Sequence, residues 1–298
     1  MNFEIKNNKV GYVMKSKSVS PPQAVIYICL ALAALAAVFP LVYTFANSFI
    51  GRAEFNKYYG MLESKELTGN PFHFIPNRAV LAAYYDMLIA RPDYLIKLWV
   101  SVGIAAAVTA GQLIVSALGG YAFSKFRFPG RDFIFFIIII LMMMPPQVTL
   151  SPNYMVLSGL NLLGSYWSVI LPGVFSAFGI FLMRQLMAAI PDSLLESAKI
   201  DGAGALRALW YVVLPNSAAG LASLAVLSFI DSWNMVEQPI VFLKDAFKYP
   251  MAVFLIQING FEPSLGFACG ILSVIAPLYL FLFFQKEMTE GISYSVIK

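Results

Sequence analysis

The sequence predicts an all-α membrane protein with six transmembrane helices, and three observations support this fold class. Only 12% of the 298 residues are charged, and the mean hydropathy is +0.74. A soluble domain carries about 25% charged residues. Runs without any Asp, Glu, Lys, Arg or His cover residues 18–51, 98–124, 133–183, 208–230 and 263–285. Since a helix crosses the hydrocarbon core with about 20 apolar residues, the run 133–183 supplies two spans and every other run supplies one.

The order of elements follows from these runs. We expect a tail at residues 1–22, a six-helix membrane domain at 23–284 and a second tail at 285–298. The first apolar run is longer than that of a cleaved signal peptide, so the first span is predicted to be retained. A 45-residue loop at 50–94, with short helices near 79–90, precedes the second span. The six spans are predicted at residues 23–48, 95–122, 133–152, 166–187, 216–236 and 264–284.

The third predicted span contains the pair Pro145 and Pro146. The apolar stretch before them, 133–144, is only about 18 Å long as a helix. We therefore expect this helix to continue past the prolines with a kink, which neighbouring helices can accommodate. Pro277 predicts a second kink in the sixth span.

The distribution of basic residues predicts the orientation. Twelve of the 20 Lys and Arg residues lie on the side that holds both termini, including three in the short connection KFRFPGR at 125–131. Short cytoplasmic loops carry such an excess, so both termini are predicted to be cytoplasmic. The turn at 153–165 has no charge, which suits the outer face. Because the basic residues are dispersed, the net charge of +4 does not indicate nucleic-acid binding.

Residue types that would indicate other functions are scarce. The only histidine is His73, and the two cysteines, Cys29 and Cys269, both lie in predicted spans. This composition predicts neither a metal site nor an intramembrane enzyme with paired acid and base groups. An ion-coupled secondary transporter would place several ionisable groups in the membrane, and these spans are almost free of charge. Small residues at positions 103, 107 and 111 form a packing face, either within the chain or against another subunit.

The segment 188–215 is the main polar interruption and includes the sequence ESAKIDGAGALRALWYVVLP. Pro191 suits a helix start, and Ser193 and Glu196 have the spacing of a capping box. Gly202 is free to adopt a left-handed conformation and predicts the end of that helix. Asp201 is predicted to cap a following helix. One face of the first helix is apolar, with Leu194, Leu195 and Ala198. These features alone fit either a surface amphipathic helix or a docking element for a partner.

This segment closely resembles the EAA loop of ABC importer permeases. The matching residues are Glu196, Ala198, Asp201, Gly202, Ala203, Leu214 and Pro215, with Ser197 in place of the first alanine, the middle residue of Glu-Ala-Ala. Further segments are similar to the carbohydrate branch, and specifically to its maltose-transporter G-type inner-membrane permeases. They read GYAFSKFRFPGR, PPQVTLSPNY, SFIDSWN, FQKEMTEGI and FIPNRAVLAAYYDML, and the resemblance extends over residues 20–292.

The resemblance implies a type I ABC importer permease fold and a set of partners. These are a second homologous permease subunit in a heterodimer, two cytoplasmic ABC ATPase subunits and an extracytoplasmic solute-binding protein, all at a bacterial inner membrane. The chain has no Gly-x-x-x-x-Gly-Lys-Ser/Thr phosphate loop, so we expect it to bind no cofactor and to leave ATP and Mg to the ATPase subunits. The implied ATPase-coupling residues are Glu196, Ser197, Ala198, Asp201, Gly202 and Ala203. The tail at 285–291 is a second implied contact with the ATPase pair.

Polar and aromatic residues at the ends of the spans are candidates for the substrate path. They are Asn153, Tyr154, Trp167, Asp231, Trp233 and Asn234. Sugars bind through aromatic faces and hydrogen bonds, and ionisable groups in a membrane are functional candidates. The alternative is that both tryptophans anchor the protein at the membrane interface. The sequence therefore predicts a sugar or oligosaccharide importer, with a permease for a non-sugar solute as the closest alternative.

Overall fold

A computed structural model describes residues 21–59, 73–91 and 93–296, and this part of the chain is helical without any strand. The chain divides into two compact units, at residues 1–43 and 44–298. The described part of the first unit is most of helix α1. The helices are α1 Pro21–Asn47, α2 Arg52–Tyr59, α3 Ala82–Tyr85, α4 Asp93–Lys125, α5 Arg131–Met142, α6 Pro146–Gly159, α7 Trp167–Val174, α8 Ala177–Ala188, α9 Asp192–Ile200, α10 Ala205–Ala208, α11 Leu214–Asn216, α12 Ala218–Trp233, α13 Glu237–Leu243, α14 Met251–Phe261 and α15 Pro263–Val296.

Within the described residues, four helical stretches are long and apolar enough to cross a membrane. They are Gln23–Asn47, Asp93–Lys125, Trp167–Ala188 and Ser264–Lys286. Two bent pairs, α5 with α6 and α10–α11 with α12, raise the number to six if each pair is one span. Each of the six predicted spans therefore falls on one of these helices or pairs. The last helix extends through Val296, well beyond the predicted end at residue 284.

The third predicted span is not a continuous kinked helix, and that prediction is wrong. Helix α5 ends at Met142, and α6 begins at Pro146 at an angle of 106° to it. Pro145 is extended, with φ −60° and ψ 137°, because it precedes another proline. Pro146 then occupies the first position of α6, where its missing N–H costs no hydrogen bond. Helix α6 runs on to Gly159, so the predicted uncharged turn starts seven residues later than expected.

The fourth predicted span is broken, which the sequence analysis did not predict. Helix α7 ends at Val174, and Phe175 and Ser176 are extended. The Ser176 hydroxyl accepts a hydrogen bond from the Gly179 N–H at 3.0 Å and so caps α8. Next to the break, the Gln112 side-chain amide donates to the Gly173 carbonyl at 2.7 Å. Gln112 also accepts a hydrogen bond from the Ser228 hydroxyl, which ties α4, α7 and α12 together.

Helix α4 is the centre of the second unit and packs against α7, α8 and α12. Close approach to α8 depends on Gly120, where a Cβ atom would lie 2.6 Å from the Met183 Cβ and 2.9 Å from the Arg184 backbone nitrogen. The predicted small-residue face divides into two parts. At Gly111 an added Cβ would lie 2.5 Å from a Val174 methyl, which identifies an intrachain contact, whereas Gly103 has open space around it.

Candidate functional site: an exposed capped helix and the membrane path

Helix α9 ends in a corner that backbone hydrogen bonds define. The Ala203 N–H donates to the Ala198 carbonyl at 2.9 Å, and the Gly202 N–H donates to the Lys199 carbonyl at 3.1 Å. Gly202 has φ +79°. This pair of bonds around a left-handed residue is the Schellman motif, which satisfies the last carbonyls of a helix. The short helix and corner predicted for this segment are therefore present.

Two capping predictions for this segment are wrong. The N-cap of α9 is Pro191, which makes no side-chain capping bond, and Ser193 lies inside the helix. Its backbone carbonyl instead accepts a hydrogen bond from the Ser197 hydroxyl at 2.9 Å. Asp201 is the C-cap of α9, and Gly204 is the N-cap of α10. Pro191 is the N-cap two residues before the serine that the capping-box pattern selected, so the pattern lies about half a turn too late.

Helix α9 contains no buried residue. Leu195 is half-buried and packs against a cluster of buried residues. The cluster comes from α4, from α8 and the link after it, from the helical segment between α10 and α11, and from α12. Its members are Ala117, Tyr121, Met183, Met187, Ile190, Leu209, Val213 and Leu224. Glu196, Ser197, Asp201 and Gly202 are exposed, and Ala198 and Ala203 are half-buried.

Sequence reasoning missed Ile200, which is 86% exposed at the end of α9. A single exposed apolar side chain is common on protein surfaces, so Ile200 is of interest here because it lies beside the Gly202 corner. The signal in the sequence was that Ile200 is an apolar residue outside the apolar face formed by Leu194, Leu195 and Ala198. All six predicted ATPase-coupling residues and Ile200 thus lie on one short, accessible stretch.

One lysine connects the start of α9 to the membrane helices. The Lys125 ammonium donates to the Ile190 carbonyl at 2.5 Å and to the Asp192 carboxylate at 2.7 Å. The hydrogen bond from Lys125 and its positive charge lower the pKa of Asp192 below its ordinary value. The Asp192 carboxylate is therefore ionised at neutral pH and available to this contact.

The six predicted substrate-path residues lie in different environments. Trp233 is buried beside Ala105 and stacks on Phe229, with 5.7 Å between ring centroids. Tyr154 is half-buried and packs against a separate cluster that includes Ile104 and Phe242. Asn153 is half-buried, whereas Trp167, Asp231 and Asn234 are exposed. Burial makes Trp233 a packing residue within this chain, and the exposed polar pair Asp231 and Asn234 is the better candidate for contact with a solute.

A polar cluster joins the segment 73–77 to helix α2. The His73 ring stacks on Tyr58 with 4.0 Å between centroids, and its Nε2 lies 2.9 Å from a Glu54 carboxylate oxygen. The Asn77 N–H donates to the same oxygen at 2.7 Å. Burial raises the pKa of Glu54, but the hydrogen bonds from Asn77 and His73 outweigh it, and the pKa is lowered overall. Within residues 21–59, 73–91 and 93–296, His73 belongs to no group of three or more residues able to hold a metal ion.

Two lysines fasten the segment after α13. The Lys97 ammonium donates to the Ala246 carbonyl at 2.5 Å and the Phe247 carbonyl at 2.7 Å. The Lys248 ammonium donates to the Gly164 carbonyl at 2.6 Å. The segment 244–250 is therefore fixed to α4 and to the turn before α7, while the Phe247 side chain is 80% exposed.

Apolar helices long enough to cross a membrane, together with an exposed, capped helix, fit a membrane transport subunit. The chain belongs to the family of binding-protein-dependent transport system inner membrane components, whose model matches residues 95–289. It is 38% identical over 196 residues to the sn-glycerol-3-phosphate transport system permease protein UgpE of Yersinia enterocolitica, covering 63% of this chain and 69% of the relative. The UgpE protein of Brucella melitensis is 27% identical over 277 residues, which cover 89% and 94% of the two chains.

A solved structure extends the likeness to nearly the whole fold. The crystal structure of a bacterial ABC transporter involved in the import of the acidic polysaccharide alginate contains a chain with a TM-score of 0.75 and 25% identity. The match covers 89% of this chain and 95% of that one. The fold is therefore that of a type I ABC importer permease, and the predicted family and fold class are confirmed.

Proposed function

We propose that this permease forms half of the translocation path of an ATP-driven importer for a sugar or oligosaccharide. Helix α9 seats in a cleft of a cytoplasmic ATPase subunit and carries the motion of ATPase closure into α8 and α12. The observation that carries this proposal is a helix without a buried residue that nevertheless ends in a fully hydrogen-bonded corner at Gly202. A rigid, exposed element is suited to transmit force between inward-open and outward-open states.

The remaining assembly follows from this role. A second homologous permease completes the path as a heterodimer, two ATPase subunits bind ATP and Mg, and a solute-binding protein delivers the substrate from outside. Both termini and α9 lie on the cytoplasmic side of a bacterial inner membrane, in contact with lipid along the spans. This chain contributes no catalytic group, and the tail at 285–291 adds a second contact with the ATPase pair.

The coupling role is tested in vesicles reconstituted with both permeases, the ATPase subunits and the binding protein. Glu196→Lys and Gly202→Asp should abolish ATP-dependent uptake while the variant chains still insert into the membrane. Glu196→Gln, which removes the charge without reversing it, should cause a smaller loss. Normal uptake by Gly202→Asp would contradict docking through α9.

The solute class is tested on the binding protein that works with this permease. Thermal shift with a panel of monosaccharides, oligosaccharides, acidic oligosaccharides and sn-glycerol 3-phosphate should give stabilisation by a sugar. The relatives that are 38–39% identical are glycerol-3-phosphate permeases, so a three-carbon phosphate ester is the second candidate. Stabilisation by that compound alone would favour the second candidate.

The substrate path is tested at the exposed polar pair. We propose that Asp231 and Asn234 contact the solute, with Asn153, Tyr154 and Trp167 contributing further along the path and Trp233 supporting them. Asp231→Asn and Asn234→Ala should raise the solute concentration needed for half-maximal uptake without lowering ATPase activity stimulated by the loaded binding protein. Unchanged uptake in both variants would remove these residues from the path.

A further inference from the structure

We infer that Lys125 is a positioning residue for helix α9, and that it sets the angle at which α9 leaves the membrane helices. The inference rests on the proposed role of α9 in coupling. Lys125 is the last residue of α4, and its side chain is only 6% exposed. A buried ammonium is expensive unless polar partners surround it. Its burial here therefore indicates a specific set of contacts.

The contacts of Lys125 join three helices at one point. Its ammonium bonds to the carbonyl of Ile190, in the link between α8 and α9, and to Asp192, the first residue of α9. A cation is favourable near the C-terminus of a helix, and an anion is favourable near an N-terminus. The Lys125 ammonium therefore stabilises the C-terminal end of α8, and the Asp192 carboxylate stabilises the N-terminal end of α9. An ammonium has three donors, so one side chain can hold both partners.

The two bonds differ in strength. Asp192 is 77% exposed, and water screens an exposed ion pair. The Ile190 residue is buried, so the bond to its carbonyl is sheltered from competing water. We therefore expect the carbonyl bond to fix the position of the link and the carboxylate to set its direction. Removal of the ammonium should have a larger effect than removal of the Asp192 charge.

No other described contact gives α9 a comparable anchor. Helix α9 contacts α10 and the segment 209–213 and packs Leu195 against the buried cluster, but the described residues show no other side-chain hydrogen bond or ion pair from another helix to α9. Five residues before Lys125, the backbones of α4 and α8 touch at Gly120. The bonds of Lys125 therefore connect α9 to α4 and α8, whose backbones are in close contact at Gly120. A movement of α9 reaches the membrane helices through this connection.

The position of α9 can be measured in the full-length chain in lipid nanodiscs. Spin labels at Leu118 on α4 and Ser193 on α9, with Cys29 and Cys269 replaced, report the distance between the helices by pulsed electron resonance. The unmodified Lys125 and Lys125→Arg, which keeps charge and donors, should give a narrow distance distribution, and Lys125→Met a broad one. Arg127→Met is the matched control, because it removes an exposed charge from the same connection and should leave the distribution narrow.

Transport provides a second readout in the complete reconstituted importer. Lys125→Met should lower the population of chains with α9 in its anchored position by about tenfold, the factor that corresponds to one bond to a charged group. The amount of solute imported per ATP hydrolysed should fall with that population. Asp192→Asn should cause a smaller loss, and Lys125→Arg should restore most of the coupling. A narrow distribution in Lys125→Met, or broadening with unchanged coupling, would overturn the inference. If the unmodified importer fails to transport, the proposed function fails, whereas the distance measurement still decides the positioning role.

Discussion

At Gly202 the amino-acid type decides the backbone conformation. Its φ of +79° is in the left-handed region, and the space around it is open. Gly204, two residues later, also has open space, but its φ of −71° is available to any residue. Gly202→Ala should therefore destabilise the corner by about 1 kcal/mol and reduce uptake, whereas Gly204→Ala should have little effect. Uptake assays on the two variants at equal expression check this difference, and equal losses would mean that packing against a partner dominates.

The Glu54 carboxylate makes the loop that contains His73 sensitive to acid. Its pKa is lowered from 4.5 in the folded protein. A lowered pKa contributes stability that is complete above 4.5 and is lost as the pH falls through the folded value. The thermal midpoint of the purified chain should therefore fall progressively as the pH is lowered below about 4.5. Glu54→Gln should show a smaller drop, and the same drop in both proteins would assign the acid sensitivity to other groups.

At Gly120 the backbone of α8 limits side-chain size on α4. An added methyl at Gly120 would meet the backbone of Met183 and Arg184, which cannot move independently of α8. Gly120→Ala should therefore destabilise the chain by about 1 to 3 kcal/mol. Gly103→Ala, on the same helix but in open space, should be neutral or stabilising because alanine favours helix. Thermal unfolding in detergent checks both variants, and equal midpoints would contradict close packing at Gly120.

Element type was predictable from the sequence, but the breaks within elements were not. The charge-free runs identify the spans because a membrane leaves backbone groups no partner outside a helix. The bend of 106° between α5 and α6 depends on how two adjacent prolines are accommodated by tertiary packing, and a proline pair alone predicts only a kink. The break before Ser176 carries no proline at the break itself, and Gln112 from a distant helix satisfies the Gly173 carbonyl beside it.

The candidate site was predictable to a similar extent. Gly202 was identified correctly as the corner because only glycine adopts its conformation readily. The capping role of Ser193 was predicted wrongly, since Pro191 starts the helix earlier and places Ser193 within it. Lys125 was counted only as a basic residue of a cytoplasmic connection. Its contact with Ile190 and Asp192 joins residues 65 or more positions apart, which no local pattern reveals.

At the scale of the whole molecule, the orientation and the number of spans can be tested together. Between α9 and the exposed Phe247, α12 is the only predicted span, and it belongs to one of the bent pairs. A cysteine at Ser197 and a cysteine at Phe247, each in a background without Cys29 and Cys269, should therefore lie on opposite sides of the membrane. In intact spheroplasts an impermeant maleimide should label position 247 only, and permeabilisation should expose position 197. Labelling of both positions from outside would mean that α12 does not cross the membrane, and labelling of 197 alone would reverse the orientation that the basic residues predict.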